Sequence, residues 1–482
     1  MKCKTVLLIA MFVVVGSLLS AQGLKVEPGT SIKVELGSTL DISGGGDLTL
    51  KSDATGDASL IDLGSVAYTG GGEANVERYL TNGQWHLISS PITNALGGMF
   101  VGDYIQSYAE ATDIWTDITS LSEQLSPMQG YSLWSMAGTA TTEVFSGITN
   151  TGSQSMAFTY SGALKGYNLM GNPYPSVLDW DEVAIPSELN GTFHLFDPTI
   201  GSNGDYVLYL KGATSGNTTS QYIPSGQGFF VRATGTGTLA LDNSDRGYGV
   251  QPFYKNTEVN HMLVLKATGN NITTQTAIRF NPNATAQVDR LYDAHKMMSN
   301  STDVPILYTK CNGENMAINT LPSVSGNETV PLYFEAGQSG NYTFQATELQ
   351  SIDPNIPVYL EDVAQNYVQD LRTNPEYLFA YTTGAVKNFN IHFENTITQI
   401  EEPKDLNVTC YLANNTLYVN FLTNEAPDIN AKLEVYSVLG QQLLKQDITQ
   451  KSNAIPLVAK QALYLIHIVA EDGTFATKVF NQ

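Results

Sequence analysis

The chain has 482 residues, enough for three or four domains. It carries 46 acidic and 24 basic residues, so its net charge of −22 argues against a nucleic-acid partner, whose phosphates it would repel. Charged residues make up only 15% of the sequence, and there are 42 glycines and 25 tyrosines. This composition is typical of a secreted all-β protein.

Residues 1–21 have the pattern of a secretory signal peptide. Lys2 and Lys4 form a basic start, Val6 to Val15 an apolar core, and Ser20-Ala21 a small-residue cleavage site. The apolar run is shorter than the roughly 20 residues that span a bilayer, so we expect no transmembrane segment after cleavage.

The two cysteines that remain are Cys311 and Cys410. They fall in different predicted domains, which favours free thiols and leaves a disulfide as the alternative.

Residues 22–73 repeat a short strand closed by glycine, as in Leu24–Gly29 and Ile32–Gly37. A spacing of about eight residues is too short for helices and predicts a β-solenoid or a β-meander. We interpret this segment as a rigid cap or spacer.

Residues 74–250 contain a duplication. Trp85-His-Leu-Ile-Ser-Ser-Pro91 matches Tyr167-Asn-Leu-Met-Gly-Asn-Pro173, and Ser126–Leu133 matches Pro224–Val231. We assign the extra residues of the second copy to loops at 201–204 and 212–220. The repeated aromatic residues are most simply core residues on the inner faces of a duplicated β-sandwich-like region.

Residues 251–397 hold enough alternating strands for a jelly-roll-like sandwich, and residues 398–404 form a polar linker. Residues 405–482 alternate apolar and polar positions in every run, with turns at Leu439-Gly440-Gln441 and Glu471-Asp472-Gly473. The fold class we predict is therefore all-β and multi-domain, ending in a small immunoglobulin-like sandwich.

This C-terminal segment resembles the (type A-like) sorting domain of proteins exported by the type IX secretion system. The residues that carry the resemblance are Gly440, Gln441, Tyr464, Gly473 and Lys478. The family usually has glycine where this chain has Ala462. The resemblance implies passage through the periplasm, interaction with the type IX machinery, and a final place outside the cell or on its surface. The duplicated phrases upstream resemble uncharacterised surface modules found in such proteins, which implies no chemistry.

We find no nucleophile elbow, zinc-protease helix or phosphate loop, and most of the six histidines lie within strand patterns. Paired carboxylates that meet only in the fold leave no local signature, so a glycan-active hydrolase stays open as a third alternative. Asp197, Asn203 and Asp205 lie in a Gly-rich loop whose oxygens suit calcium, although solvated turn residues have the same pattern. We otherwise expect no cofactor.

The sequence thus predicts a non-catalytic structural or adhesive surface protein. The alternative is a carbohydrate-binding surface protein, with Trp115, Trp134 or Trp180 stacking on sugar rings of surface glycans or lipopolysaccharide. A groove with two aromatic residues beside Asp or Asn would favour this alternative, and converging carboxylates in a deep pocket would favour an enzyme.

Overall fold

The structure is a computed structural model. It describes residues 23–43, 46–162, 166–213, 216–247, 261–298, 301–323, 327–394, 406–413, 415–422, 430–437, 441–457, 463–470 and 473–480. The predicted signal peptide, the linker at 398–404 and Gly440 lie outside these residues. The chain divides into two compact units, one ending at residue 394 and one beginning at residue 395.

Both units are built from strands, which confirms the all-β, multi-domain prediction. The helical segments in the described ranges are short 3-10 turns at Gly97–Phe100, Asn243–Asp245 and Leu349–Ser351. No helix in this part of the chain has both the length and the apolar character needed to span a bilayer.

The N-terminal strands form two stacked coils of a β-solenoid. They are β1 (Leu24–Val26), β2 (Ser31–Val34), β3 (Thr39–Ser43), β4 (Leu48–Leu50), β5 (Ser52–Asp53), β6 (Gly56–Asp57), β7 (Ser59–Asp62) and β8 (Ser65–Thr69). The pairs β1–β4, β2–β7 and β3–β8 are all parallel, so each coil has three sides. The solenoid prediction is confirmed, and the meander alternative is wrong because a meander pairs its strands antiparallel.

The predicted boundary after residue 73 does not separate two cores. The next strand continues the solenoid by pairing in parallel with β4, and Leu48 and Leu60 share one apolar cluster with Ile88 and Phe145. Arg246 also ties the solenoid to a later segment, because its buried guanidinium contacts the buried Asp62 carboxylate and donates to Ser176 Oγ (2.8 Å).

The first copy of the duplication, copy 1, comprises eight strands. They are β9 (Ala74–Leu80), β10 (Trp85–Ser89), β11 (Ala95–Leu96), β12 (Tyr104–Ala109), β13 (Ile114–Asp117), β14 (Gln124–Leu125), β15 (Gly130–Trp134) and β16 (Thr141–Gly147). Its main sheet has the order β10-β15-β12-β13, while β9 pairs with β16 and β11 with β14.

Copy 2 repeats this topology strand for strand. Its strands, with one addition, are β17 (Gln154–Phe158), β18 (Tyr167–Gly171), β19 (Val177–Asp179), β20 (Leu189–Asp197), β21 (Asp205–Leu210), β22 (Tyr222–Ile223), β23 (Gly228–Ala233), β24 (Gly237–Leu241) and β25 (Arg246–Gly247). The main sheet is β18-β23-β20-β21, and β17 pairs with β24 and β19 with β22. Trp85 and Tyr167 open equivalent strands, so the predicted duplication is confirmed.

The two main sheets face each other across an approximate twofold axis. Ile88 bridges to Gln227, and its repeat equivalent Met170 bridges to Gln129, the equivalent of Gln227. Because alternate residues of a strand point to opposite faces, Ile88 joins the core of copy 1 while Leu87 packs against copy 2. The repeated aromatics were predicted to be core residues. This is confirmed for Tyr131 and its equivalent Phe229, which are buried in the cores of copies 1 and 2. Trp85 and Tyr167 instead are half-buried and share their strand face with residues that pack between the copies.

The remaining strands of the first unit form one continuous, mostly antiparallel sheet. They are β26 (His261–Gly269), β27 (Ile272–Phe280), β28 (Ala294–His295), β29 (Ile306–Cys311), β30 (Glu314–Leu321), β31 (Asn327–Glu335), β32 (Gly340–Thr347), β33 (Tyr359–Asp362), β34 (Tyr367–Asp370), β35 (Glu376–Tyr381) and β36 (Lys387–Glu394). The order is β34-β33-β36-β31-β29-β30-β27-β26-β32-β35, with β28 on β30. The sheet curls around one core, since the rings of Tyr367 on one edge strand and Tyr377 on the other stack at 5.8 Å.

The second unit is a two-sheet sandwich, as predicted for residues 405–482. Its strands are β37 (Val408–Ala413), β38 (Thr416–Phe421), β39 (Ala431–Ser437), β40 (Gln442–Ile448), β41 (Ser452–Pro456), β42 (Leu463–Ala470) and β43 (Gly473–Phe480). The sheets β37-β38-β41 and β40-β39-β42-β43 enclose one apolar core. Cys410 in this unit and Cys311 in the first are both free thiols.

Candidate functional site

A groove lined by aromatic rings lies between the two copies and has a volume of about 420 Å³. This volume falls within the roughly 300–1,000 Å³ of small-molecule sites. The described residues that line it are Trp85, Leu87, Gln106, Trp115, Ser132, Phe196, Asn203, Gly204 and Tyr206. Copy 1 supplies the first five and copy 2 the other four.

Trp115 forms one wall of the groove, on β13 at the edge of the copy 1 sheet. It pairs across the strands with Tyr108, and the two ring centroids are 5.1 Å apart. Behind them the buried ring of Phe230 meets Tyr108 edge-on at 5.2 Å and Trp115 at 6.2 Å. These contacts fix the indole while one part of it stays exposed to solvent.

The opposite wall is the β20–β21 hairpin of copy 2. Phe196 and Tyr206 are a cross-strand pair with ring centroids 5.3 Å apart. The loop between these strands must carry glycine at Gly204, because a Cβ there would lie 2.2 Å from the Phe196 ring. The loop is anchored by Asn203 N–H, which donates to Ser301 Oγ (3.1 Å).

The repeat explains why a groove opens here. The strand pairings make Ser132 of copy 1 equivalent to Phe230 of copy 2. Phe230 fills the space between the sheets, whereas the small Ser132 side chain leaves room above its own sheet. The loop 198–204 of copy 2 is longer than its counterpart 110–113 of copy 1, and its extra residues bring Asn203 to the groove. The predicted extra loop at 201–204 is thus confirmed.

The polar groups of the groove are neutral. Gln106 Nε2 donates to Asp117 Oδ1 (2.8 Å), which orients the amide, and Asn203 is exposed. A phenol with its ordinary pKa near 10 is already protonated at neutral pH, and burial raises the pKa of Tyr206 further. None of the described lining residues is acidic or basic.

The three tryptophans proposed for stacking have different environments. Trp115 lines the groove. Trp134 is half-buried and supports Trp85, with ring centroids 5.5 Å apart, but does not itself line the groove. The prediction is wrong for Trp180, whose ring is fully buried against Phe193 and whose Nε1–H donates to Gly191 O (2.9 Å).

The proposed calcium residues do not form one cluster. Asp197 and Asp205 face each other across β20 and β21, but Asp197 Oδ1 accepts hydrogen bonds from Thr199 N–H (2.9 Å) and its hydroxyl (2.6 Å). Asn203 lines the aromatic groove, whereas Asp205 lines a second cavity. No group of three or more His, Cys, Asp or Glu residues placed to hold a metal occurs in the described ranges. Calcium binding at this loop stays a prediction.

The residues that carry the resemblance to a sorting domain belong to the second unit. Tyr464 is buried in the sandwich core, on β42 between Ser437 and Val479. Lys478 is exposed on β43, Gln441 is exposed beside β40, and Gly473 begins β43 opposite Ala470. Gly440 lies outside the described residues.

Four residues of the groove were not predicted as site residues: Trp85, Gln106, Phe196 and Tyr206. The available signal was alternation, because Trp85 and Leu87 share one strand face, and so do Phe196 and His194. The sequence did not show that this face of each sheet meets the other copy.

Comparisons with known proteins give a family but no activity. Residues 9–393 match the family described as "Domain of unknown function (DUF8693)". No curated protein matches the chain.

The solved structures that match are remote in sequence. They include the 47-kilodalton lipoprotein Tp47 of Treponema pallidum (9% identity, TM-score 0.20, 84% of this chain and 90% of that one). A Ruminococcus gnavus β-glucuronidase matches at 11% identity and TM-score 0.13, over 30% of this chain and 35% of that one. The Clostridium perfringens spore cortex lytic enzyme SleM matches at 14% identity and TM-score 0.13, over 20% of this chain and 34% of that one. The chain thus covers about a third of the length of the last two.

The family match ends at residue 393, and the first compact unit ends at residue 394. The match therefore covers the solenoid, both copies and the curled sheet, and it leaves out the second unit. The chain belongs to the DUF8693 family.

Proposed function

We propose that this protein is a non-catalytic, secreted surface protein that binds neutral glycans in the groove between copies 1 and 2. The observation that carries the proposal is the groove itself, in which Trp85, Trp115 and Tyr206 are half-buried beside Gln106 and Asn203. A sugar ring has an apolar C–H face that lies flat on an aromatic ring. Its hydroxyls, around the rim, pair with amide groups.

The charge of the site favours neutral rather than acidic sugars. The described groove residues carry no charge, and the chain as a whole has a net charge of −22. An acidic glycan would meet no cation in the groove and would be repelled by the field of the protein.

Two alternatives are less well supported. A purely structural module needs no half-exposed rings beside amides, since exposing them forgoes the gain of burial. A glycan hydrolase would need two carboxylates flanking the bound sugar, and the described groove residues include none.

We further propose that the protein reaches the cell surface or the medium through type IX secretion. The pattern of residues 1–21 and the resemblance carried by Gln441, Tyr464 and Lys478 support this route. An exposed glycan-binding groove fits such a location.

The test is a glycan array probed with the purified full chain, followed by calorimetry on the best ligand. We expect binding to neutral oligosaccharides. Replacing Trp115→Ala should weaken it at least about tenfold, since removal of a central aromatic anchor costs about 2 kcal/mol. Trp115→Phe retains a stacking surface and should restore most of the affinity.

Tyr411→Ala is the matched control, because Tyr411 is 50% exposed and lies in the second unit, outside the groove. It should bind as the unaltered protein does. Absence of any glycan ligand, or equal affinity of Trp115→Ala and the unaltered chain, would refute the groove as a glycan site.

A further inference from the structure

Aromatic side chains continue beyond the groove on the same face of the copy 1 sheet. Trp134 on β15 pairs directly with Trp85 on β10 and with Tyr104 on β12. Directly paired residues of antiparallel strands point to the same face of a sheet. Since Trp85 lines the groove, Trp134 and Tyr104 also lie on the groove face. We call these three residues the aromatic row.

Alternation along the strands gives the same result. Ser132 and Gln106 line the groove, and each lies two residues from a member of the row on its own strand. Alternate residues of a strand share a face. The residues between them, Leu133 and Ile105, point the other way and belong to the core of copy 1. The row is therefore a continuation of the groove and not a part of the core.

The row is open to solvent. Tyr104 is 56% exposed, and Trp85 and Trp134 are half-buried. The two indoles meet edge-on with ring centroids 5.5 Å apart, so each supports the other. Three adjacent aromatic side chains that stay in contact with water forgo the free energy of burial. A contiguous exposed patch of this kind is typical of a binding surface.

A hydrogen bond connects β15 and β12 next to the row. Met136 follows Trp134 by two residues, and Asp103 directly precedes Tyr104. Met136 N–H donates to Asp103 Oδ1 (2.7 Å). The strands that carry Trp134 and Tyr104 are thus fixed relative to each other, which lowers the cost of ordering the row when a ligand binds.

A second pair of aromatic residues stands at the other end of the groove, where Tyr108 packs against Trp115. Tyr108 follows Tyr104 by four residues on β12. At about 3.4 Å per residue of strand, the two ends are about 14 Å apart. Between them lie the hydroxyl of Ser132 and the amide of Gln106. A single sugar ring cannot contact both ends, whereas a chain of roughly three to four linked rings can.

We propose that the groove and the aromatic row together bind an internal segment of a linear, neutral polysaccharide. One ring lies on Trp115 and another on Trp134 and Tyr104. This assignment rests on the glycan function proposed above and adds the class of glycan. The row is exposed at Tyr104, so the polysaccharide chain can continue into solvent there. A short terminal sugar would leave the row uncovered.

Charges beside the row also favour a neutral polysaccharide. Asp103 precedes Tyr104 directly, and Asp117 accepts a hydrogen bond from Gln106 Nε2 (2.8 Å). Carboxylates at both places would repel an acidic chain that lay along the sheet.

The experiment is calorimetric titration of the purified full chain with cello-, malto- and manno-oligosaccharides, from the disaccharide to the hexasaccharide. In at least one series we expect the hexasaccharide to bind at least about tenfold more tightly than the disaccharide. A disaccharide should occupy the enclosed end at Trp115. Tyr104→Ala and Trp134→Ala should therefore each weaken hexasaccharide binding at least about fivefold and leave disaccharide binding unchanged. Trp115→Ala should weaken both.

Ile114→Ala is the matched control. Ile114 is 54% exposed on β13, and it precedes Trp115, so it lies on the opposite face of the same sheet. This variant should bind every length as the unaltered chain does. Thermal melts establish that each variant is folded. Tyr104→Ala changes an exposed side chain, so it tests the row even if Trp134→Ala fails to fold.

Two results would overturn the extended site and leave the groove as a glycan site. They are equal affinity for the disaccharide and the hexasaccharide, and normal hexasaccharide binding by folded Tyr104→Ala. If no member of the three series binds, the extended site is overturned as well. The glycan array described above then decides separately whether the groove binds any glycan.

Discussion

His86 shows how a buried side chain can make the stability of copy 1 depend on pH. It is 7% exposed, and its Nε2 lies within hydrogen-bond distance of three Thr81 atoms: the backbone N (3.1 Å), Oγ1 (3.0 Å) and the carbonyl O (3.2 Å). Burial lowers its pKa to about 4, which keeps the ring neutral near pH 7. The Thr81 backbone hydrogen bond partly offsets this shift, and Arg78 adds a smaller lowering. In the unfolded chain an ordinary histidine titrates near 6.5.

Between these two values the unfolded state binds more protons, so stability is lost as the pH falls from about 6.5 to 4. His86 alone should account for up to about 3 kcal/mol of this loss. His86→Gln keeps an acceptor for Thr81 N–H and should make the curve of stability against pH shallower in that window. Urea titrations followed by tryptophan fluorescence measure this in the first unit, since all four tryptophans lie between residues 85 and 180. An unchanged slope would contradict the prediction.

Single residues also mark the limit of sequence-based prediction. Trp115 and Trp180 both occur in polar surroundings in the sequence, and both were candidates for sugar stacking. Trp180 is buried because Phe193 and Phe229 of two strands distant in sequence close over it. Trp115 stays half-exposed because it stands on the edge strand of its sheet. Only the order of the strands distinguishes the two, and that order is not local information.

At the scale of elements, the close approach of the two copies depends on glycine at particular strand positions. Ser89 ends β10, and Gly171 ends the equivalent strand β18. A Cβ at Gly171 would lie 2.1 Å from Ser89 Cβ, a distance that real Cβ atoms do not reach. One of these two equivalent positions must therefore be glycine.

Gly171→Ser should destabilise the first unit by about 1–3 kcal/mol or more, since overpacking forces the sheets apart. The double variant Ser89→Gly, Gly171→Ser should recover much of this loss. In the protein as it is, Ser89 Oγ donates to Asn172 O (2.6 Å). In the double variant the hydroxyl at position 171 would face the carbonyl of Ser90, which is the equivalent of Asn172. The midpoints of urea unfolding measure the stability of both variants. Gly340→Ser is the control, because a Cβ there meets nothing within 4 Å. A double variant no more stable than Gly171→Ser would contradict the approximate twofold.

The sequence predicted some elements in more detail than others. The repeated phrases beginning at Trp85 and Tyr167 predicted equivalent strands, because a local pattern of aromatic, Pro and Gln-Gly residues fixes strand and turn together. The glycine-closed units of 22–73 predicted a solenoid or a meander and did not distinguish them, since parallel pairing such as Leu24 with Leu48 joins residues far apart in sequence. Residues 251–397 were predicted to form a jelly-roll-like sandwich, whereas β26 to β36 form one curled sheet. The alternating pattern identifies strands but not which strands pair with each other.

At the scale of the whole molecule, the division at residue 394 separates two units with their own cores. The DUF8693 match stops at residue 393, so the sequence family and the compact unit agree on where the first part ends. We therefore expect each unit to keep its fold without the other, as domains with separate cores usually do.

Deleting residues 405–482 should leave the first unit folded but absent from the cell surface. The deletion removes the core of the second unit around Tyr464 and Leu433, while the cores of the first unit keep all their members. The signal peptide predicted at residues 1–21 would still direct the chain across the inner membrane. Without the segment that resembles a sorting domain, the chain should accumulate in the periplasm. Fractionation of the native host, with surface proteolysis and tryptophan fluorescence of the retained protein, measures location and folding separately.

Lys478→Glu tests the same route without removing a core. Lys478 is exposed on β43, so the reversed charge should change the stability of the sandwich by no more than about 0.5 kcal/mol. If the export machinery contacts this strand, surface display should fall although the protein remains folded. Lys451→Glu is the matched control. Lys451 is also exposed in the second unit, but it directly precedes β41, a strand of the other sheet. It should be displayed normally. A truncated chain that still reaches the surface would contradict the proposed export route and make the second unit an ordinary β-sandwich. Equal display of both lysine variants would remove β43 as the surface that the machinery recognises.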